Sequence, residues 1–153
     1  MEAFLALTYT RLLQFYKQFG KYYSHQFADF SARTGLSLGE VHILLFLVNN
    51  PDCDTARDVA ELRGLSKSQV SQAVELLAAE GLLLRTPDNT DRRVIHLSIT
   101  PSGLPLAREC QAIQAACGRR LLAGLSEEQE RQLALLLETV LDNGARLAEE
   151  GSV

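Results

Sequence analysis

Residues 65–81 read Leu65-Ser66-Lys67-Ser68-Gln69-Val70-Ser71-Gln72-Ala73-Val74-Glu75-Leu76-Leu77-Ala78-Ala79-Glu80-Gly81. Ser66 followed three residues on by Gln69 is a capping box, with Leu65 before the cap and Val70 at the stapling position. Gly81 supplies a left-handed stop, so a helix is predicted over 66–80. Val70, Ala73, Val74 and Leu77 fall on one face of it. Lys67, Ser68, Gln69, Ser71, Gln72 and Glu75 are left for the other. A face chosen only for solubility normally carries Glu/Lys pairs four apart. This one is instead small and hydrogen-bonding, and its polar residues crowd into the first two turns. Glutamine pairs with adenine, serine with several base edges, and lysine with guanine or phosphate, so the face suits a major groove.

Working upstream, Thr55 and Asp58 cap a short helix with Val59, Ala60 and Leu62 expected to point inward, closed by Arg63-Gly64-Leu65. Two helices joined by a short glycine-containing turn are the sequence form of a helix-turn-helix. Before them, Leu36-Ser37-Leu38-Gly39-Glu40-Val41 is another capped and stapled start. From Val41 to Val48 only His42 is polar, so that helix is expected to lie inside the domain or between subunits. It stops at Asn49-Asn50-Pro51-Asp52. The opening run holds nine of the ten aromatic residues, from Phe4 to Phe30, with only Phe46 elsewhere. Its large side chains recur at helical spacing round more than one face, which predicts burial on two sides, one of them another subunit.

Downstream of Gly81 the period changes to extended. Leu82-Leu83-Leu84-Arg85-Thr86, a polar turn Pro87-Asp88-Asn89-Thr90-Asp91 and a returning Val94-Ile95-His96-Leu97-Ser98-Ile99 predict a hairpin with Ile95, Leu97 and Ile99 packed and His96 on the wet side. Two adjacent arginines, Arg92 and Arg93, sit at its turn and suit a narrow, electronegative minor groove. Asp91 beside them is read as structural, holding one arginine or the turn backbone. Thr100-Pro101 is expected to open a helix running to about Leu122. Ser126-Glu127-Glu128-Gln129 caps the last helix, whose Leu133, Leu136, Leu137, Val140, Leu141 and Leu147 form a wide apolar stripe.

The fold class is therefore mainly α with a small β-hairpin wing (α+β): a winged helix-turn-helix of six helices, dimerising through its N- and C-terminal helices. The 153 residues form a single domain, 1–153, in which 1–34 and 101–150 are dimerisation helices and 37–100 the winged helix-turn-helix, with a recognition helix at 66–80 and a wing at 82–99. The terminal helices offer more apolar surface than a domain of this size can cover, which is why they are expected to pair across a two-fold axis.

Composition narrows the function classes. Apolar residues make up 46% and charged residues 22%, as in globular proteins that need no disulfide or metal to fold. The start lacks the basic run and cleavage site of a signal peptide, and no apolar run reaches the ~18 residues of a membrane span, so a cytoplasmic protein with no membrane partner is expected. The net charge of −4 argues against a chain that merely coats nucleic acid. Residues 55–103, however, balance six Lys/Arg against six Asp/Glu, leaving the excess acid outside the segment expected to meet DNA.

The chain resembles the multiple antibiotic resistance regulators, or MarR family, of winged-helix transcription factors. The resemblance rests on Leu65-Ser66 before the recognition helix, Leu76 through Glu80-Gly81-Leu82 and Arg85 after it, Asp91-Arg92-Arg93 in the wing, Leu97 through Thr100 with Gly103, and Leu125-Ser126-Glu127-Glu128 before the last helix. It implies a dimer built from the terminal helices, a recognition helix in each major groove, a wing arginine in each flanking minor groove, and in many members release from DNA by a small molecule or oxidant. The expected function is a repressor that binds a palindromic operator in double-stranded DNA as a homodimer, through Ser66, Lys67, Ser68, Gln69, Ser71, Gln72, Arg92 and Arg93.

Other chemistries are weaker. His25 and His42 could suggest a metal, but 101–122 contains no histidine, and no metal or other cofactor is expected. Cys53, Cys110 and Cys117 are too few and too scattered for a disulfide framework and are read as free, inert thiols. His42 and Phe46, one turn apart, could face Tyr23 of the aromatic helix across an effector cleft, against the simpler reading of dimer core. No nucleophile with a base, phosphate loop or acidic pair points to an enzyme. The rival from another class is a winged-helix protein-interaction module that never touches DNA.

Overall fold

The structure is a computed structural model that describes residues 9–151; Phe4 of the aromatic run lies outside them. The chain divides between Cys117 and Gly118 into two compact units. In the first, α1 (Tyr9–His25) and α2 (Ala28–Thr34) replace the single opening helix read from the sequence. The break falls at Gln26-Phe27, where the chain turns so that Phe27 and Phe30 both enter the core. Along α1 an aromatic ladder runs inward: Phe15 stacks on Phe19 at 5.8 Å, Phe19 meets Tyr23 at 6.1 Å, and Tyr23 meets Phe27 edge-on at 5.2 Å. Its outer turns stay exposed, with Tyr16 at 81%.

Helix α3 (Leu38–Asn49) is held by the Ser37/Glu40 box and is the centre of the unit. Val41, Ile43, Leu44 and Leu45 are all at most 2% exposed, each worth about 1.5–3 kcal/mol of burial. Glu40 is itself buried, and the box satisfies it: its Oε2 accepts from Ser37 N at 2.9 Å and Ser37 Oγ at 2.6 Å. Helices α4 (Ala56–Arg63) and α5 (Lys67–Ala79) follow, each with the capping box read from the sequence. Between them Gly64 takes φ +67°, a left-handed turn that a side chain would strain.

Strands β1 (Leu83–Pro87) and β2 (Ile95–Ile99) pair antiparallel from Leu83 opposite Ile99 to Pro87 opposite Ile95. Leu83 and Leu97 are the hairpin's fully buried contributions. Helix α6 (Leu104–Leu121) starts three residues later than Thr100-Pro101 suggests. The intervening turn is a stitch: Thr100 Oγ1 donates to Gly81 O at 2.7 Å and accepts from Gly103 N at 3.0 Å, while Thr100 N donates to Leu82 O at 3.0 Å. This clamps the start of β1 to the start of α6.

One packing expectation fails. Leu62, read as inward on α4, is 67% exposed, while Val59 is fully buried and Ala56 and Ala60 are half-buried. At 100° per residue, Ala56, Val59 and Ala60 lie to one side and Leu62 falls beyond its edge. In the second unit, α7 (Glu127–Glu150) is capped by Ser126 and Gln129 and buries none of its residues. Its Leu135, Leu136, Leu141 and Leu147 are each more than 60% exposed.

Candidate nucleic-acid interface

Helix α5 sits on the core through Val70, Ala73, Val74 and Leu77, all at most 5% exposed, and this fixes what faces outward. Ser66, Lys67, Ser68, Gln69, Ser71, Gln72 and Glu75 are all exposed. They are not equivalent. Gln69 Oε1 turns back to accept from Ser66 N at 3.0 Å and Ser66 Oγ at 2.9 Å, and Ser66 Oγ in turn accepts from Gln69 N at 3.2 Å. Both side chains are committed to the cap, whereas Lys67, Ser68, Ser71 and Gln72 project from the first two turns.

The hairpin turn is organised by a residue the sequence reading passed over. Asp88 Oδ1 accepts from Thr90 N at 2.7 Å, Thr90 Oγ1 at 2.6 Å and Asp91 N at 2.9 Å. These donors, led by the Thr90 hydroxyl, hold the Asp88 carboxyl far below the usual carboxylate range. Asp91 Oδ1 accepts from Arg93 N at 3.0 Å, and Val94 N donates to Asp91 O at 2.9 Å. Arg92 and Arg93 are both exposed at this tip.

His96 departs from its reading as a plain surface residue. Its Nδ1 faces Asp54 Oδ1 at 2.8 Å and its Nε2 faces Asp88 Oδ2 at 3.2 Å. Backbone pairing supports the contact, since Thr55 bridges His96 and Leu97 N donates to Asp54 O at 2.6 Å. The segment before α4 thus joins the two-stranded hairpin through one isolated β-bridge. A partner 42 residues away leaves no mark in local periodicity.

Between α4, α5 and the hairpin lies a cleft of about 330 Å3 with Val70, Val74, Ile95 and Leu97 in its walls and Arg57, Lys67 and Arg85 at its border. No acidic side chain lines it. Arg57 and Arg85 line this cleft beside Lys67 of α5; the sequence names Arg85 only within the family resemblance and places neither among the expected DNA contacts, and Arg57 is paired with Glu61 at 2.8 Å.

The residues considered for an effector separate. A groove of about 550 Å3 is lined by Tyr16, Tyr23, Ser24, His42, Arg63 and Gln114, among others. Tyr23 Oη accepts from Gln114 Nε2 at 3.1 Å, and burial pushes its phenol above the usual value. Burial, with Arg63 nearby, pushes His42 down to about 4, so the groove presents a neutral imidazole at neutral pH. Phe46 does not line it: one turn farther along α3, it packs into the core at 7% exposure.

Cys110 is buried and its thiol is pushed up to about 12, chiefly by burial, which removes the thiolate that redox chemistry requires. Among the described residues no cluster of three His, Cys, Asp or Glu side chains could hold a metal ion. No single helix among them is long and apolar enough to cross a membrane.

Residues 34–94 match the sequence model of the MarR family. The HTH-type transcriptional regulator YwaE of Bacillus subtilis, itself uncharacterised, is 31% identical over 87 residues, covering 57% of this chain and 51% of YwaE. The transcriptional repressor MprA of Escherichia coli K12 is 27% identical over 90 residues, covering 59% of this chain and 51% of MprA. The chain thus spans about half the length of these two relatives. A MarR transcriptional regulator from Methanosarcina mazei shares the fold, with a TM-score of 0.77 at 20% identity over 90% of this chain and 99% of that one.

Proposed function

The chain belongs to the MarR family through residues 34–94, and on that premise we propose that it is a homodimeric, sequence-specific DNA-binding repressor. Family and fold are those of transcriptional regulators rather than enzymes. The observation that carries the proposal is α5: its apolar face is sunk in the core, and its Lys67, Ser68, Ser71 and Gln72 project from the end a recognition helix points at bases. The exposed Arg92 and Arg93 at the wing tip give the phosphate and minor-groove contacts that such a helix needs for register. The name of MprA supports repression as the direction of control. The groove around Tyr23, His42 and Arg63 supports release by a small-molecule effector.

The dimer reading is supported by large apolar side chains that stay exposed among the described residues. Leu12, Leu13 and Phe15 of α1, and Leu136, Val140, Leu141 and Leu147 of α7, are all more than 40% exposed. Terminal helices of that character pair across a two-fold axis. Sedimentation at micromolar concentration should therefore show twice the chain mass of 16.9 kDa; a clean monomer would defeat the two-fold arrangement.

Selection of bound duplexes from a random pool tests the function itself. A two-fold protein should recover an inverted repeat whose half-sites lie about 34–36 Å apart, one helical turn. Recovered sequences without inverted symmetry would contradict it.

A further inference from the structure

The loop carrying Arg92 and Arg93 is joined to the body of the domain, beyond its own two strands, by a chain of three side chains. Asp88 has two hands. Its Oδ1 gathers Thr90 N, Thr90 Oγ1 and Asp91 N, which are the donors that shape the loop, and its Oδ2 faces His96 Nε2. The other edge of the same ring faces Asp54, in the segment that leads into α4. We propose that His96, gripped between Asp54 and Asp88, is a positioning residue that holds the wing arginines in place for DNA and makes that hold depend on acidity. The inference rests on the DNA-binding reading given above.

The chemistry of the ring carries the second half. Carboxylate oxygens only accept, and a neutral imidazole has one N–H to give, so one of the two contacts must then set a nitrogen lone pair against an oxygen. Only the imidazolium donates on both edges. The contact to Asp54 is shorter, 2.8 Å against 3.2 Å, so the neutral ring keeps Asp54 and lets go of Asp88. That is the end attached to the loop.

Every charged group that faces His96 acts in the same direction. Asp54 before α4 and Asp88 in the turn raise its pKa above the usual 6.5, Asp54 more strongly. Asp58, in the first turn of α4, also feels the ring's charge, and Thr86, opposite His96 on β1, does not titrate. Because the folded value is the raised one, the two-sided grip is complete below the unfolded value of 6.5 and is lost as pH rises through the folded value. Asp88, held low, stays ionised throughout that range. His42, pushed down to about 4, is neutral across it and cannot supply the step.

The test is DNA affinity of the full chain from pH 6 to 8.5 at constant salt, using a duplex recovered by selection, with the His96 ring signals followed by NMR over the same range. Wild type should lose affinity by about two- to fivefold per wing, the scale of an exposed ion pair, with a midpoint matching that of His96. His96→Gln, checked for unchanged thermal stability, should give a flat profile at the alkaline wild-type level. His96→Lys separates grip from charge, because an ammonium keeps the charge but cannot reach carboxylates on opposite edges of a ring. It too should sit at the alkaline level; affinity at the acid level at every pH would show that added charge suffices and would overturn the grip. Wild-type binding at pH 6 with no step tracking His96 would overturn the grip alone, leaving the DNA reading intact. Binding to no duplex at any pH would overturn both.

Discussion

Gly103→Ala should destabilise the folded chain by about 3 kcal/mol, the upper end of what overpacking costs, and lower the midpoint of thermal unfolding by about 6–12 °C. Gly103 is buried, and a Cβ built on it would stand 2.3 Å from Leu82 O and 3.1 Å from a methyl of Ile99. The first of these is backbone and cannot swing aside. It is also committed, since Leu82 O accepts from Thr100 N at 3.0 Å, one of the bonds that clamp β1 to the start of α6. Relief would have to come from moving a strand of the wing or the first turn of the helix. Gly20→Ala provides the contrast, being an exposed site inside α1 with nothing within 4 Å of the added carbon. It should be stabilising by about 0.4–1 kcal/mol. An unchanged unfolding midpoint for Gly103→Ala would show that the wing and α6 are not joined as closely as described.

The second large effect divides the labour between helix and wing. Side chains at base edges supply discrimination of about 1–3 kcal/mol for a good bidentate pair, whereas phosphate and minor-groove cations supply affinity with little sequence information. Gln72→Ala should therefore erode the preference for a selected duplex over a scrambled one by about ten- to a hundredfold and leave the salt slope nearly unchanged. Gln72 is the apt choice because it is exposed and clear of the cap, unlike Gln69, so truncating it disturbs neither the core nor the helix start. Arg92→Ala should weaken both duplexes by similar factors and reduce the salt slope by about one. Equal loss on both duplexes for Gln72→Ala, or intact affinity for Arg92→Ala, would refute the division.

What was legible in the sequence was local or periodic. The boxes at Ser37/Glu40, Thr55/Asp58, Ser66/Gln69 and Ser126/Gln129 each span four residues, and all four form with both reciprocal bonds. The buried face of α5 followed from spacing because four apolar residues fix a stripe. Helix α4, with eight residues, has too few to fix one, and Leu62 was placed on the wrong side. The break in the opening helix was hidden by the continuity of its aromatic pattern. His96 and Asp88 were missed for a different reason: alternation along β2 assigns a side of the sheet, not what another segment brings to that side. Gly103 could be recognised as part of a family motif, but the carbonyl that forbids a side chain there lies across the clamp, 21 positions back at Leu82. For the effector groove, one-turn spacing put His42 and Phe46 on the same side of α3, but spacing alone could not tell that Phe46 lies too deep to line it.

The wild-type limb of the Gln72 and Arg92 experiment asks whether α5 and the wing meet DNA at all. Binding to selected and scrambled duplexes should be measured over a series of salt concentrations. Log K should fall linearly with log salt on both, with a slope of about −0.9 for each phosphate neutralised, and the selected duplex should bind tighter at every concentration. A chain that bound neither duplex, or whose binding was indifferent to salt, would contradict it and leave the fold as a module for contacts with other proteins.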